Sequence, residues 1–247
     1  MTDSARASTA IVAPARPPIF VTGGTGYLGR ALIERLVERG HAVDALVRAG
    51  SERKLPRGAQ AVVGDALRLG EWIARIPRGG LVVHLVGTPK PSPAKSREFE
   101  EVDLRSVRVA ADAAARAGAS HFVYLSVAQP APIMRGYQLV RAEGERLVRA
   151  TGMAATFVRP WYVLGPGHRW PLVFLPMYWL FERIPATREG ALRLGLVRLE
   201  QMTRALVWTI EHPGLGVRVV DVPEIARLAR LPDEPRPLNA GSWRAGA

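Results

Sequence analysis

The sequence predicts an α/β fold: a doubly wound parallel sheet with helices on both faces and a small C-terminal cap on the substrate side. Two observations support this prediction. From Ile19 onward, short apolar runs alternate with segments whose apolar residues recur at helical spacing, the order that builds parallel sheets. In addition, 247 residues, 48% of them hydrophobic, are enough for one substantial core.

The strands are expected as short apolar runs of the kind that parallel sheets bury on both faces. They are predicted at residues 19–22, 42–47, 61–63, 81–86, 122–125, 155–158 and 217–221. Helices are predicted at residues 27–39, 96–117, 138–150, 172–182 and 200–211. Gly40, Gly118 and Gly152 stand where three of these helices should end.

The domain organisation follows from this alternation. A single domain is predicted over residues 19–230, with cap elements mainly in 160–212 and loose tails at 1–18 and 231–247. The absence of cysteine excludes disulfides, thiol nucleophiles and thiolate metal ligands, and five scattered histidines predict no metal site. We expect a cytoplasmic protein.

The net charge of +12 raises the question of an acidic partner. The basic residues are scattered and form no recognised motif, so a nucleic-acid partner is not predicted. The longest apolar run, 171–181, is too short to span a membrane. Core packing, an apolar substrate pocket and contact with a membrane surface or protein partner stay open for this run.

A glycine-rich turn follows the first predicted strand and leads directly into a helix. In the segment after Thr22, Gly23 permits a tight turn, Gly26 lets the backbone approach a pyrophosphate and Gly29 lets the helix lie close to the strand. The helix N-terminus adds free N–H groups and a partial positive charge. This context predicts a nicotinamide dinucleotide site formed by Gly23, Thr25, Gly26, Tyr27, Leu28 and Gly29.

The spacing of Gly23, Gly26 and Gly29 resembles the fingerprint of the short-chain dehydrogenases/reductases, especially the extended and atypical members of the NAD-dependent epimerase/dehydratase superfamily. Within these, the NmrA-like and complex I accessory-subunit-like proteins are the most similar. Residues 63–66, 84–87, 137–141 and 159–166 match further family segments in order. The resemblance implies a Rossmann fold, and it implies cofactor contacts at Asp65, Ala66, Val86, Gly87, Pro160 and Val163.

The residue after the second predicted strand bears on the choice of nucleotide. An acidic residue there binds the ribose hydroxyls of NAD, whereas arginine accommodates the 2′-phosphate of NADP. This chain has Arg48, followed by Ser51, Arg53 and Lys54, while Asp44 lies too early in the strand. NADP is therefore predicted over NAD, with a solvated Arg48 as the alternative.

The resemblance also implies a proton-transfer group. Tyr137 stands at the position of the family tyrosine, and Arg141 replaces the lysine that holds the ribose and lowers the tyrosine pKa. Ser126 lies one residue before the expected position of the serine. Two hypotheses stay open: an oxidoreductase acting on an apolar carbonyl, enone or quinone-like substrate, and a decayed nucleotide-binding sensor or accessory subunit. For the two residues themselves a purely structural alternative also stays open, in which Tyr137 is a half-buried aromatic at the helix start and Arg141 pairs with Glu145.

Overall fold

The computed structural model describes residues 16–89, 91–131, 133–166 and 194–233. Its centre is a parallel sheet of seven strands in the order β3-β2-β1-β4-β5-β6-β9, and two further strands, β7 and β8, pair separately. The strands are β1 (Ile19–Thr22), β2 (Val43–Val47), β3 (Gln60–Val63), β4 (Leu81–His84), β5 (His121–Leu125), β6 (Ala154–Val158), β7 (Tyr162–Leu164), β8 (Leu196–Arg198) and β9 (Val217–Val220).

Six α-helices connect or flank these strands within the described ranges. They are α1 (Tyr27–Glu38), α2 (Ser96–Glu98), α3 (Arg105–Ala117), α4 (Arg135–Ala150), α5 (Leu199–Glu211) and α6 (Val222–Leu228). A π-helical turn, Phe99–Leu104, joins α2 to α3. Short 3₁₀ turns lie at Glu52–Lys54, Glu71–Arg75 and Pro93–Lys95.

Two apolar layers cover the sheet because successive strand residues point to opposite faces. In β1, Ile19 and Val21 join the layer that contains α1, α5 and α6, whereas Phe20 joins the layer beneath α3. All three side chains are fully buried. The alternation explains why β1 has no polar residue before Thr22.

The strand order reverses between β1 and β4. From β1 the chain proceeds through β2 to β3 on one side, and from β4 through β5 and β6 to β9 on the other. In open parallel sheets this reversal leaves a crevice beyond the carboxyl ends of the strands, where ligands bind. The glycine-rich turn, which follows β1, lies at this crevice.

The predicted doubly wound sheet is confirmed, and all seven of its strands were expected. The predicted helix 96–117 is divided by the π-helical turn, and α4 begins at Arg135, three residues before its predicted start. The strands β7 and β8 and the helix α6 were not predicted, because three-residue strands and a seven-residue helix carry too little periodicity to stand out. The predicted helix 172–182 and the apolar run 171–181 lie outside the described residues.

Candidate nucleotide-binding and proton-transfer site

The parallel sheet brings the predicted site residues to one edge. The glycine turn follows β1, Arg48 follows β2, Asp65 and Ala66 follow β3, and Val86 and Gly87 follow β4. Beyond β5 and β6 come the predicted catalytic and nicotinamide-side residues: Ser126, Tyr137, Arg141, Pro160 and Val163. Segments separated by more than 100 residues in the chain therefore meet around one crevice.

The turn between β1 and α1 is closely packed against the segment after β4. Gly23 has φ +80°, and a Cβ atom there would lie 2.8 Å from the Leu85 carbonyl carbon and 2.9 Å from the Val86 nitrogen. A Cβ on Gly29 would overlap the Gly23 carbonyl oxygen. These two glycines are required by the protein's own packing.

Gly26 differs, because the packing of the protein does not require a glycine at this position. Its φ of −72° and ψ of 174° are open to any residue, and a Cβ atom there would meet only the Gly23 oxygen, at 3.2 Å. Gly26 is exposed and caps α1 without a side-chain hydrogen bond, and the first turn holds no acidic residue. This bare helix N-terminus suits a pyrophosphate, so the turn fits a dinucleotide.

Cationic side chains surround the carboxyl end of β2. Arg48, Arg53 and Lys54 are exposed, and none forms an ion pair within the described part of the chain. Asp44, by contrast, lies within β2 and accepts a 2.9 Å hydrogen bond from Arg75. The only carboxylate of β2 is thus engaged elsewhere, and the strand ends in positive charge.

The segment after β3 presents a carboxylate at the surface. Asp65 Oδ1 accepts from the Leu67 backbone nitrogen at 2.9 Å, which fixes a tight turn and leaves the side chain about half exposed, at 53%. Ala66 packs against the apolar layer under α3. The residue types and placement are compatible with the adenine contacts that the resemblance implies.

The segment after β6 forms the other side of the crevice. Pro160 is buried, and its carbonyl oxygen accepts from the Ala128 nitrogen at 2.9 Å, which ties this segment to the loop after β5. Val163 lies at the centre of β7, half-buried against the apolar layer that contains α1. Both residues are held by the fold at the predicted nicotinamide end.

Tyr137 lies in the first turn of α4, and Arg141 lies one turn further along the same face. Arg141 Nε donates to the Tyr137 hydroxyl at 3.1 Å, and the Phe99 ring packs 4.9 Å from the tyrosine ring. Burial raises the pKa of the Tyr137 phenol, the positive charge of Arg141 opposes that rise, and the negative charge of Asp103 adds to it. The phenol therefore holds its proton at neutral pH.

Arg141 is buried, and its guanidinium is bound on several sides. Nη2 donates to Asp103 Oδ1 at 2.5 Å, and Nη1 donates to the Leu125 carbonyl oxygen at 2.9 Å and to the Tyr124 hydroxyl at 3.4 Å. The alternative interpretation, in which Arg141 pairs with Glu145, is wrong. A carboxylate 38 residues away along the chain takes that place.

Ser126 is turned into a second buried cluster. Its hydroxyl donates to Glu145 Oε1 at 2.7 Å, and the same oxygen accepts from Gln129 at 3.0 Å and from Arg159 at 2.8 Å. Ser126 is 4% exposed and follows β5 directly. The structure thus places Ser126 near the predicted edge but gives its hydroxyl a protein partner.

Asp103 is the residue of this site that the sequence analysis missed. It is fully buried in the π-helical turn, where Thr88 donates to Asp103 Oδ2 from both its backbone nitrogen, at 2.9 Å, and its hydroxyl, at 2.6 Å. The sequence contained one signal for it. Asp103 lies four residues after Phe99 and four before Val107, so it interrupts an apolar row along one helix face. A charge in such a row needs a buried partner.

A buried histidine connects the glycine turn to this cluster. His84 Nδ1 bonds the Thr22 hydroxyl over 2.7 Å, and His84 Nε2 bonds the Ser106 hydroxyl over 3.2 Å. Burial lowers the pKa of His84 to about 3, and the charge of Arg141 acts in the same direction. His84 is therefore a neutral structural link between β1, β4 and α3.

Comparison with known proteins agrees with this architecture. The model of the NAD dependent epimerase/dehydratase family matches residues 19–177. The chain belongs to this family. The predicted membership of the extended short-chain dehydrogenase/reductase superfamily is thereby confirmed, and the NAD dependence in the family's description agrees with the predicted nicotinamide dinucleotide.

Two curated relatives of this chain have reductase names. The "Ceramide reductase" of Caulobacter vibrioides is 30% identical over 217 residues, which cover 86% of this chain and 66% of that protein. The "4-hydroxy-2-methyl-3-oxo-4-farnesyl-3,4-dihydroquinoline-1-oxide ketoreductase" of Stigmatella aurantiaca is 29% identical over 168 residues, 59% of this chain and 50% of that protein. The chain thus spans between half and two thirds of these relatives' lengths.

Among solved structures, "MoeE5 in complex with UDP-glucose and NAD" superposes with a TM-score of 0.63. It is 22% identical, and the match covers 86% of this chain and 80% of that one, which supports the fold. Within the described ranges, no helix is long and apolar enough to cross a membrane.

Proposed function

We propose that this member of the epimerase/dehydratase family is an NADPH-dependent oxidoreductase that reduces a carbonyl, enone or quinone-like group of an apolar substrate. The observation that carries the proposal is the 3.1 Å hydrogen bond from Arg141 Nε to the Tyr137 hydroxyl, at the edge of the sheet that also carries the glycine turn. When bound there, the nicotinamide supplies the hydride. Tyr137 supplies the proton.

The geometry favours Tyr137 as a proton donor. Because the Tyr137 oxygen accepts from Arg141, its own O–H proton is left to point at a substrate oxygen. The raised pKa keeps that proton in place at neutral pH, and the guanidinium charge stabilises the phenolate that remains after transfer. Reduction of a carbonyl, which consumes one proton at oxygen, is the direction that suits this arrangement.

The preference for NADPH rests on the β2 end. A 2′-phosphate carries negative charge that Arg48, Arg53 and Lys54 are placed to meet, and these three residues have no competing ion-pair partner within the described residues. The ribose carboxylate typical of NAD-specific domains is missing from this position, since Asp44 bonds Arg75.

The apolar character of the substrate is suggested by the relatives. Their names denote a ceramide in one case and a farnesylated ring ketone in the other. We propose that this chain acts on a substrate with a similarly long apolar part, to which the reduced carbonyl is attached. The apolar run 171–181 is a candidate for contact with that apolar part.

The alternative, a sensor or accessory subunit that binds nucleotide without turnover, draws on one observation. Ser126, the serine nearest the family's substrate-steadying position, donates its hydroxyl to Glu145 and is therefore engaged within the protein. In that case NADPH would bind and no candidate substrate would be reduced.

The test is to load the protein with NADPH and follow its oxidation with long-chain ketones, enones and quinones, in parallel with Tyr137→Phe. Tyr137→Phe should lower kcat by about 10² to 10⁴-fold and change NADPH affinity by less than about twofold, because the phenol's proton acts chiefly in the transition state. Tyr124→Phe is the matched control: it loses a buried hydroxyl on the same guanidinium, and we expect a loss below about tenfold. Equal turnover by Tyr137→Phe and the native protein would remove Tyr137 as the donor.

A further inference from the structure

The Arg141 guanidinium has few donors left for a ligand. Of its five N–H groups, one points to Tyr137, two from Nη1 point to Leu125 and Tyr124, and one from Nη2 points to Asp103. The Arg141 side chain is 4% exposed. It therefore presents almost no surface to a nucleotide in the crevice.

The orientation of this guanidinium is set by Asp103. The Asp103 side chain is itself fully buried, and two hydrogen bonds from Thr88 fix its second carboxylate oxygen. Arg141 Nη2 then bonds the first oxygen at 2.5 Å, a charge-assisted contact. Because the guanidinium is rigid and planar, holding Nη2 at Asp103 also aims Nε at the Tyr137 hydroxyl.

Two glycines leave room for this arrangement. A Cβ atom on Gly87 would overlap Arg141 Nη2 and lie 3.1 Å from Asp103 Oδ1. A Cβ atom on Gly144 would lie 2.5 Å from the Tyr124 hydroxyl. Gly87, predicted as a cofactor contact, thus has a second role: it accommodates the ion pair.

We propose that Asp103 is a positioning residue that fixes the Arg141 guanidinium on the Tyr137 hydroxyl, and that Arg141 serves the tyrosine alone and does not bind the nucleotide. The family lysine, by the resemblance, serves both the tyrosine and the ribose. Here the ion pair separates the two tasks, and the ribose is held by other groups. The effect on turnover rests on the proposed oxidoreductase function; the effects on Tyr137 ionisation and nucleotide affinity do not.

The test replaces Asp103 by asparagine and measures three quantities. With difluorotyrosine at position 137, fluorine NMR follows the phenol's ionisation at a pH where the protein stays folded. If Asp103 positions Arg141, its loss releases the guanidinium, and ionisation moves to higher pH by about one unit or more. If Arg141 stays in place without Asp103, removal of the negative charge moves ionisation to lower pH, and the proposal is overturned.

The other two quantities are kcat and NADPH affinity. In Asp103→Asn we expect kcat to fall by about 10 to 100-fold. NADPH affinity should change by less than about twofold in this variant and in Arg141→Met, since the guanidinium makes no nucleotide contact. A loss of nucleotide affinity above about tenfold in Arg141→Met would overturn the second half of the proposal. If the native protein reduces no substrate, the oxidoreductase function fails, and the ionisation and affinity results still decide the positioning role.

Two further variants serve as controls. Asp112→Asn makes the same change on the exposed side of α3, where Asp112 bonds Arg116, and should leave all three quantities unchanged. Breaking a buried ion pair is strongly destabilising, so Thr88→Val, which keeps the pair, replaces Asp103→Asn if that variant does not fold. Thr88→Val removes one donor to Asp103 and should raise the pH of Tyr137 ionisation in the same direction by a smaller amount; an unchanged titration there would equally overturn the proposal.

Discussion

The glycine turn and the Tyr137 cluster lie at the same edge of the sheet and are built on opposite principles. In the turn, the groups that would meet a ligand have no side-chain partner: the N-cap of α1 is Gly26, which makes no side-chain hydrogen bond, and the cations after β2 have no ion-pair partner in the described residues. In the Tyr137 cluster, Asp103, Arg141 and Thr88 satisfy one another. The turn thus offers free groups to an external ligand, whereas the cluster uses its polar groups to hold the Tyr137 phenol in place.

This difference predicts how each region responds to substitution. In the turn, a side chain that occupies ligand space should act on binding and leave the fold intact. In the cluster, loss of one partner leaves a buried polar group without its hydrogen bond and should act on turnover and on stability.

The largest expected effect on nucleotide affinity comes from Gly26→Val. The native φ and ψ suit valine, and the nearest protein atom to the new Cβ is the Gly23 oxygen at 3.2 Å, so the fold should persist. The branched side chain would occupy the pyrophosphate's space, and we expect NADPH binding to fall by more than about 100-fold in calorimetric titration. Gly214→Val is the control, since a Cβ there meets nothing within 4 Å. Undiminished binding by Gly26→Val would place the nucleotide elsewhere.

A smaller effect is expected from Arg48→Ala. Loss of one charge-assisted contact to the 2′-phosphate costs about 1.5 to 3 kcal/mol, which corresponds to a weakening of NADPH binding of roughly 10 to 150-fold. NADH lacks that phosphate and serves as the internal control, so its dissociation constant should stay within about twofold. If the native protein binds NADPH and NADH equally, the side chains after β2 do not select the cofactor. The glycine turn alone would then differ from the Tyr137 cluster in being open to a ligand.

The same contrast explains how much could be predicted from the sequence. The turn is local: strand, glycines and helix are consecutive, so the sequence alone is enough to identify Gly23, Gly26 and Gly29. The strands could be predicted equally well, because buried parallel strands are continuous apolar runs.

The Tyr137 cluster could be predicted from the sequence only in part. Tyr137 and Arg141 are four residues apart on one helix, but the partner that orients Arg141 lies 38 residues earlier, on a π-helical turn that helical periodicity does not reveal. Local pairing rules pointed to Glu145, which is four residues from Arg141. The fold instead pairs Glu145 with Arg159 from the end of β6. Long-range choices among several charged residues are made by the packing of the sheet, which one sequence does not encode in any short pattern.

The smallest expected effect concerns His84, which joins the two regions, and it appears only on acidification. The pKa of His84 is about 3 in the folded protein against an ordinary value of 6.5, so below pH 6.5 the unfolded chain binds a proton that the folded protein does not. The stability that His84 contributes is therefore full above pH 6.5 and is lost as the pH falls toward 3. The resulting slope in the free energy of unfolding is at most about 1.4 kcal/mol per pH unit.

His84→Asn should flatten this slope, measured by urea unfolding between pH 6.5 and 4, although part of it will remain because burial also lowers the pKa of His121 to about 4. Thr22→Val is the matched control: it removes the 2.7 Å hydrogen bond to His84 and leaves the imidazole buried. It should lower stability at every pH without changing the slope. If the free energy of unfolding has the same pH slope in the native protein and in His84→Asn, His84 becomes protonated inside the fold. The histidine that links the glycine turn to the Tyr137 cluster would then carry a positive charge beside Arg141, and this charge would oppose the ion pair between Arg141 and Asp103.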